Sequence, residues 1–246
     1  MKRLLDVMIA VAGLLVASPL LAIVIFLIWR QERHNPLYMP YRVGRGGQLF
    51  SMVKLRTMII GADKTGISST STDDKRITPI GHSIRRYKLD ELTQLWNVLT
   101  GDMSLVGPRP NLKRVTDLYT SEEKKLLTVK PGITDFSSIV FSDEGEILRG
   151  KANPDLAYDQ LIWPWKSRLS VFYVEHQSLL LDIQLIVLTA LAIVNRRSAL
   201  DHVQILLRHT GAPEALIRVA GRREELVPHP PPGVTEIVTS RRKLPL

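Results

Sequence analysis

The run Arg85-Arg86-Tyr87-Lys88-Leu89-Asp90-Glu91-Leu92-Thr93-Gln94-Leu95-Trp96-Asn97-Val98-Leu99, followed by Thr100-Gly101-Asp102-Met103-Ser104-Leu105-Val106-Gly107-Pro108-Arg109-Pro110, is the part of this 246-residue chain that constrains the rest. Leu89, Leu92, Leu95, Trp96 and Leu99 recur on one helical face, which predicts an amphipathic helix. Asp90 and Glu91 fall in its first turn, where carboxylates often do no more than complement the helix dipole. Their surroundings support a second reading. Arg85, Arg86 and Lys88 precede them, and Arg109 follows between two prolines, whose restricted backbone should aim its guanidinium. Carboxylates beside donors that fit phosphate oxygens can hold a polyphosphate and a divalent cation together.

Outward from this stretch, residues 4–29 are apolar except for Asp6 and Ser18. These 26 residues would rise about 39 Å as a straight helix, enough to cross a bilayer. The polar run Arg30-Gln31-Glu32-Arg33 replaces the small-residue cleavage site of a secretory signal, so the segment is expected to be retained. Pro19 removes a backbone donor and predicts a kink at Ser18-Pro19, leaving two arms too short to span separately. Lys2 and Arg3 at one end and Arg30 and Arg33 at the other favour the same, cytoplasmic side for both ends. A re-entrant helix-break-helix follows from this; a kinked spanning helix is the alternative.

The 33 basic and 24 acidic residues give a net charge of +9, which suits anionic partners such as nucleic acid, acidic headgroups or a phosphorylated substrate. No recognition helix or aromatic-basic platform points to nucleic acid. The absence of cysteine excludes disulfides, thiolate zinc sites and cysteine nucleophiles. The six histidines lack metal-ligand spacing.

β-Prone runs on either side of Gly44-Arg45-Gly46-Gly47 predict a hairpin over residues 37–58, with Lys54 and Arg56 on one strand face. The glycine cluster lacks the Lys-Ser/Thr ending of a phosphate loop and reads as a turn. Residues 61–74, rich in Ser, Thr and Asp, predict a loop that could close over a substrate. A short helix is expected over 121–129, with Ser121 as its cap, and two helical patterns occupy 155–193. The apolar pattern over 179–191 is too short to span and is expected to be buried or interfacial. From Arg196 onward, basic pairs, short amphipathic stretches and His229-Pro230-Pro231-Pro232-Gly233 suggest an appendage.

Several of these stretches resemble the bacterial sugar transferases, the monotopic polyprenyl-phosphate phosphoglycosyl transferases. Leu89 to Val98 matches the family's Leu-Asp-Glu-Leu-x-Gln-Leu-Trp-Asn-Val, and Gly101 to Pro110 matches Gly-Asp-Met-Ser-Leu-Val-Gly-Pro-Arg-Pro. Lys54-Leu55-Arg56-Thr57-Met58, Arg76-Ile77-Thr78, Lys130-Pro131-Gly132-Ile133-Thr134 and the pattern Tyr173, Ser178, Asp182 resemble further family elements. Asp135-Phe136-Ser137-Ser138 departs from the family, whose phosphate-contacting arginine has no aligned counterpart here; Arg149 is the candidate stand-in.

The resemblance implies a mainly helical α+β chain: a re-entrant hairpin broken at Ser18 and Pro19 over 1–34, a small α/β catalytic domain over 35–195 with interfacial helices, and a basic, proline-containing appendage over 196–246. It implies transfer of a sugar 1-phosphate from a UDP-sugar to a polyprenyl phosphate such as undecaprenyl phosphate, with release of UMP, at the cytosolic face of the bacterial inner membrane. Asp90 would be the nucleophile, and Glu91 the Mg²⁺ ligand. Lys54, Arg56, Arg86, Arg109 and Arg149 would bind substrate phosphates. Membrane lipids and a possible second copy of the chain would be its other partners. A membrane-anchored, Mg²⁺-dependent nucleotide-sugar phosphohydrolase would use the same acids, with water replacing the lipid.

Overall fold

A computed structural model describes residues 1–65 and 69–240. The tip of the 61–74 loop and the basic run Arg241-Arg242-Lys243 lie outside the described residues. The chain is mainly helical with small sheets. It begins with α1 (Lys2–Glu32), one helix of 31 residues, about 46 Å long. Asp6, Ala10, Ala17, Leu21, Val24 and Ile28 form its buried stripe, while Leu4, Met8, Val11, Leu15, Val16, Leu20, Ile23 and Phe26 point outward.

The expected break does not interrupt the helix. Pro19 withholds the N–H that would bond the Leu15 carbonyl, and the Ser18 hydroxyl donates to that carbonyl at 2.8 Å. The orphaned acceptor is therefore satisfied one residue away, and helical assignment continues through the proline.

Strands β1 (Leu37–Tyr38), β2 (Tyr41–Val43), β3 (Leu49–Ser51) and β4 (Lys54–Leu55) form two antiparallel pairs, β1 with β4 and β2 with β3. The hairpin expected around the glycine cluster is thus present, with Gly46 and Gly47 at positive φ in its turn. Helix α2 (Pro79–Arg86) is capped by the Thr78 hydroxyl, which accepts from the Gly81 amide. The single helix expected next is two: α3 (Leu89–Leu92) and α4 (Leu95–Thr100). Between them Thr93 donates its hydroxyl to Val53 O at 3.0 Å and to Asp90 O at 3.1 Å, which turns the chain. Leu89 and Leu92 pack under the second half of α1, whereas Leu95 and Val98 enter the main core. Trp96, on the predicted apolar face, is exposed.

β5 (Ser104–Val106) pairs in parallel with β6 (Gly132–Thr134), Ser104 opposite Gly132 and Val106 opposite Thr134. Between them lies α5 (Lys113–Thr116), and the expected helix over 121–129 is a tighter 3₁₀ segment, Glu123–Thr128. Its start is held by a reciprocal pair: the Thr120 amide donates to Glu123, and the Glu123 amide donates to the Thr120 hydroxyl.

After α6 (Phe136–Val140), α7 (Glu144–Ile147) and α8 (Pro154–Ala157), a π turn over Tyr158–Ile162 leads into α9 (Trp163–His176). The Gln160 carbonyl, which Pro164 cannot serve, accepts from the His229 amide at 3.0 Å. Helices α10 (Leu179–Val194), α11 (Arg196–His209) and α12 (Glu214–Gly221) complete the fold. Ala199, Leu200, Val203, Leu207, Leu216, Ile217 and Ala220 share one hydrophobic cluster with Leu95, Met103, Phe136 and Leu169. The stretch beginning at Arg196 is thus built into the core through α12, whereas composition suggested an appendage.

The β5–β6 contact leaves no room for a side chain at position 132. A Cβ there would lie 2.1 Å from the Gly107 nitrogen, a backbone atom that cannot swing aside. Gly132→Ala is therefore expected to cost about 3 kcal/mol or more. Its thermal midpoint should fall clearly below that of wild type; an unchanged midpoint would mean that this approach is looser than described.

Candidate active site

Lys88, in the left-handed region at φ 56°, makes the sharp turn from α2 into α3. This turn brings Arg85 near Asp90, which is 7% exposed. Lys54 Nζ on β4 meets Asp90 Oδ2 at 2.8 Å, and Arg109 Nη1, from the turn after β5, donates to Glu91 Oε1 at 2.9 Å. Adjacent carboxylates are thus tied to cations from two separate parts of the chain.

Lys54, Arg85 and Arg109 line a cavity of about 240 Å³ together with Arg42, Glu144 and Tyr158. Asp90 and Glu91 stand behind this wall, each reaching it through its cation. Ser69 and Thr70 close part of the rim. The Ser69 amide donates to Asp155 at 2.7 Å and the Thr72 amide to Gly145 O at 3.1 Å, so the described part of the expected loop rests on the cavity edge.

The charges inside this site act strongly on one another. Burial pushes the Glu91 carboxyl up, but Arg109, Lys88 and Lys54 outweigh it and hold the group at about 2. Glu144 is likewise penalised by burial and brought to about 2 by Lys166, whose Nζ lies 2.7 Å away, and by Arg109. Arg109 is held above its ordinary value, chiefly by Glu91. Burial lowers Arg85 and Arg42, and Asp90 and Glu144 partly restore Arg85. A cavity walled by arginines that are costly to bury is suited to an anion carrying several oxygens.

Lys54 and Arg109 meet at the cavity with the two acids. Arg56, Arg86 and Arg149 stand apart from it. Strand β4 ends at Leu55, so Arg56 does not share a strand face with Lys54; it donates to the Asn35 and Leu37 carbonyls. Arg86 is exposed and lies over the Tyr87 ring, while its neighbour Arg85 faces inward. Arg149 pairs with Glu146 and donates to the Thr72 hydroxyl on the surface. Tyr173 and Asp182 hold the start of α1: Lys2 Nζ donates to Asp182 at 2.8 Å, to the Tyr173 hydroxyl at 2.8 Å and to Val106 O at 2.9 Å. Ser178 caps α10.

Arg42, Glu144, Tyr158 and Lys166 carry no mark in the sequence that singles them out. Arg85 was visible among the cations before Asp90. Glu144 sits in an ordinary acidic run, and the π turn that carries Tyr158 has no local signature; π turns do recur at functional sites.

No group of three or more His, Cys, Asp or Glu side chains forms a metal cage among the described residues. Mg²⁺ often binds through one or two carboxylates and takes its other ligands from water and substrate phosphates. Adjacent acids beside an anion-suited cavity fit that partial donor set.

Because Glu91 ionises well below the ordinary 4.5, its contribution to stability is complete above pH 4.5 and is lost as pH falls toward 2. Glu91→Gln should be less stable than wild type at pH 6 by about 1–3 kcal/mol, and the gap should narrow between pH 4.5 and 2. Denaturant melts across this range check it; a constant gap would contradict the ion pair.

Residues 1–196 match the family model described as bacterial sugar transferase. Over 121 residues the chain is 43% identical to a protein of Bacillus subtilis (strain 168) named putative undecaprenyl-phosphate N-acetylgalactosaminyl 1-phosphate transferase, covering 49% of this chain and 68% of that protein. It is 35% identical to galactosyl transferase CpsE of Streptococcus agalactiae serotype III (strain NEM316), across 76% of this chain and 41% of that one. It is 32% identical to the UDP-N-acetylgalactosamine-undecaprenyl-phosphate N-acetylgalactosaminephosphotransferase of Aeromonas hydrophila, across 70% of this chain and 42% of that one. The chain thus spans less than half the length of the latter two relatives. The matched residues take in both acids and both cations that hold them, and the chain belongs to the bacterial sugar transferase family.

Proposed function

We propose that this protein transfers a sugar 1-phosphate from a UDP-sugar to a polyprenyl phosphate held in a membrane, through a covalent phosphosugar on Asp90, as an early membrane step in building a surface polysaccharide. One observation carries this reading. Two adjacent carboxylates are each bonded to a cation that lines the same anion-suited cavity. The names of the relatives, which specify undecaprenyl phosphate and galactosyl or N-acetylgalactosaminyl groups, support the substrate class.

An anionic nucleophile approaching a pyrophosphate is opposed by like charge, so neutralisation comes first. Lys54, Arg85, Arg109 and Arg42 line the space where the diphosphate would lie. As substrate oxygens draw Lys54 toward them, its bridge to Asp90 loosens and frees the carboxylate oxygen. That oxygen forms a bond to the sugar-bearing phosphorus, the bridging P–O bond to the UMP portion breaks, and UMP departs with the electron pair. A phosphate oxygen of the polyprenyl acceptor then attacks the same phosphorus and displaces Asp90. Arg109 stays beside Glu91 and spreads the charge that builds on the transferred group. Mg²⁺ bound at Glu91 and substrate oxygens would supply further charge neutralisation.

The arrangement of α1 supports a monotopic seat. Its buried stripe touches the body from Asp6 to Ile28, so the body accompanies nearly the whole helix. A helix crossing the bilayer upright would carry that body into the hydrocarbon. Lying shallowly or re-entrantly, α1 covers its outward apolar face with lipid, and the outward face of α10, with Leu180, Ile183 and Val187, joins it. Flanking Lys and Arg at both ends favour the cytosolic side. The acids then work at the depth of the lipid phosphate, which turns an encounter between phases into a positioned reaction.

Asp90→Asn should lose transfer of label from UDP-sugar to undecaprenyl phosphate by at least about 10³-fold while keeping its circular dichroism and its membrane fractionation. Near-wild-type turnover would remove Asp90 from the chemistry. In wild type, free sugar 1-phosphate as the sole product, irrespective of acceptor, would mean hydrolysis.

A further inference from the structure

A second cavity, of about 350 Å³, opens where α1 begins. It is lined by Lys2, Arg3, Arg45 and Lys130, with Asp6 as the one carboxylate among its walls. β5 separates it from the reaction centre along the chain: Ser104 and Val106 face this cavity, and Arg109 and Pro110 face the other.

The polar groups here divide into those already used and those left over. Asp6 accepts from the Ser104 hydroxyl at 2.9 Å and the Leu105 amide at 3.0 Å. Lys2 is paired with Asp182, and Arg3 donates to the Val98 and Leu99 carbonyls that end α4. The side chains of Arg45 and Lys130 make no hydrogen bond or ion pair among the described residues. Arg3 and Lys130 nevertheless converge: a Cβ on Gly101 would lie 3.5 Å from Arg3 Nη2 and 3.6 Å from Lys130 Nζ. Burial lowers Lys130, and Arg3 and Arg45 lower it further. Asp6 and Asp102 act on Lys130 in the opposite sense, but no carboxylate is bonded to Arg3, Arg45 or Lys130 among the described residues, which leaves room and potential for an anion.

The position of the cavity selects the kind of anion. The first turns of α1 and α10 meet at the Lys2–Asp182 bridge, and both helices turn apolar side chains outward there, including Leu4, 64% exposed, and Leu180, 66% exposed. On the membrane seat proposed above, on which this inference rests, that surface is covered by acyl chains. Cations at its edge then stand at headgroup depth. We propose that this cavity seats the phosphate of an acidic membrane lipid, outside the reaction centre, and so fixes where the start of α1 meets the bilayer surface. Arg45 and Lys130 supply the free donors, and Arg3 contributes its remaining charge.

The test uses the full chain in neutral detergent, titrated separately with dihexanoyl phosphatidylglycerol, dihexanoyl phosphatidylcholine, farnesyl phosphate and inorganic phosphate, with bound species counted by native mass spectrometry. Wild type should retain an acidic lipid in preference to phosphatidylcholine. The double variant Arg45→Gln, Lys130→Gln should bind it roughly 30-fold more weakly, since each cation at an anionic headgroup is worth about fivefold. If farnesyl phosphate outcompetes phosphatidylglycerol at these residues, the seated lipid is the polyprenyl acceptor; if the order is reversed, it is bulk phospholipid. Equal retention by variant and wild type, equal retention of phosphatidylcholine, or displacement by inorganic phosphate at matched concentration would overturn the seat. Where phosphatidylglycerol is the preferred lipid, sugar-phosphate transfer assayed on the same samples in neutral detergent should be unchanged in the double variant; where farnesyl phosphate is preferred, transfer should fall together with binding. Absent transfer in wild type with lipid binding intact would count against the reaction, not against this cavity.

Discussion

Asp90 and Glu91 are each held by a cation of its own. Lys54 reaches the first from β4 and Arg109 reaches the second from the turn after β5, so two parts of the chain converge on one short helical turn. Neighbouring carboxylates would otherwise repel, and burying either without its cation would be costly. Much of the surrounding structure keeps these four side chains in register. Thr93 ends α3 just after the acids, Asn97 ties α4 back to the hairpin through Val53 N and Ser51 O, and parallel β5–β6 pairing fixes where the Gly107-Pro108-Arg109 turn emerges. The same bonds that hold the acids in place also hold them back: in the proposed reaction, substrate phosphates compete for Lys54 before Asp90 is free.

The long first helix is fastened to this core at both ends. Lys2 joins Tyr173, Asp182 and the Val106 carbonyl at one end, and Ala17, Leu21, Val24 and Ile28 pack with Leu55 and Ile84 toward the other. Pro19 and Pro164 fall in helical stretches already under way, and each leaves a carbonyl that something else serves: the Ser18 hydroxyl at Leu15 and the His229 amide at Gln160. In the first case the helix keeps its course through the apolar segment. In the second the C-terminal segment is drawn onto α9, where Arg168 also donates to Pro230 O and His229 stacks on Trp165.

Much of this was legible in the sequence, for physical reasons that differ from place to place. Apolar periodicity marked α10 and the helical region around the acids, and paired glycines marked the β2–β3 turn, because both signals are local. The motif residues Lys54, Asp90, Glu91 and Arg109 could be named, but their pairing could not, since it depends on where β4 and β5 come to rest. Arg85 and Arg86 show the limit well: both are cations before the acids, and only the left-handed turn at Lys88 and the burial of Ile84 decide which one faces the cavity. Composition misled at the C-terminal side. The amphipathic stretches there were legible as short helices, but basic pairs and prolines hid their packing into the core: Ala199, Leu200, Val203 and Leu207 of α11 are fully packed although the family match stops at residue 196. Glu144 and Lys166 form a long-range pair with no sequence pattern at all.

The most direct measurement is to mix the full chain with UDP-sugar and Mg²⁺ in the absence of polyprenyl phosphate, quench with acid within the first turnover, and map modified peptides by mass spectrometry. Transfer through Asp90 predicts a sugar-phosphate mass increment on the peptide that contains Asp90, discharged when polyprenyl phosphate is added before the quench. An unmodified peptide during active turnover, or an adduct on any other residue, would contradict it.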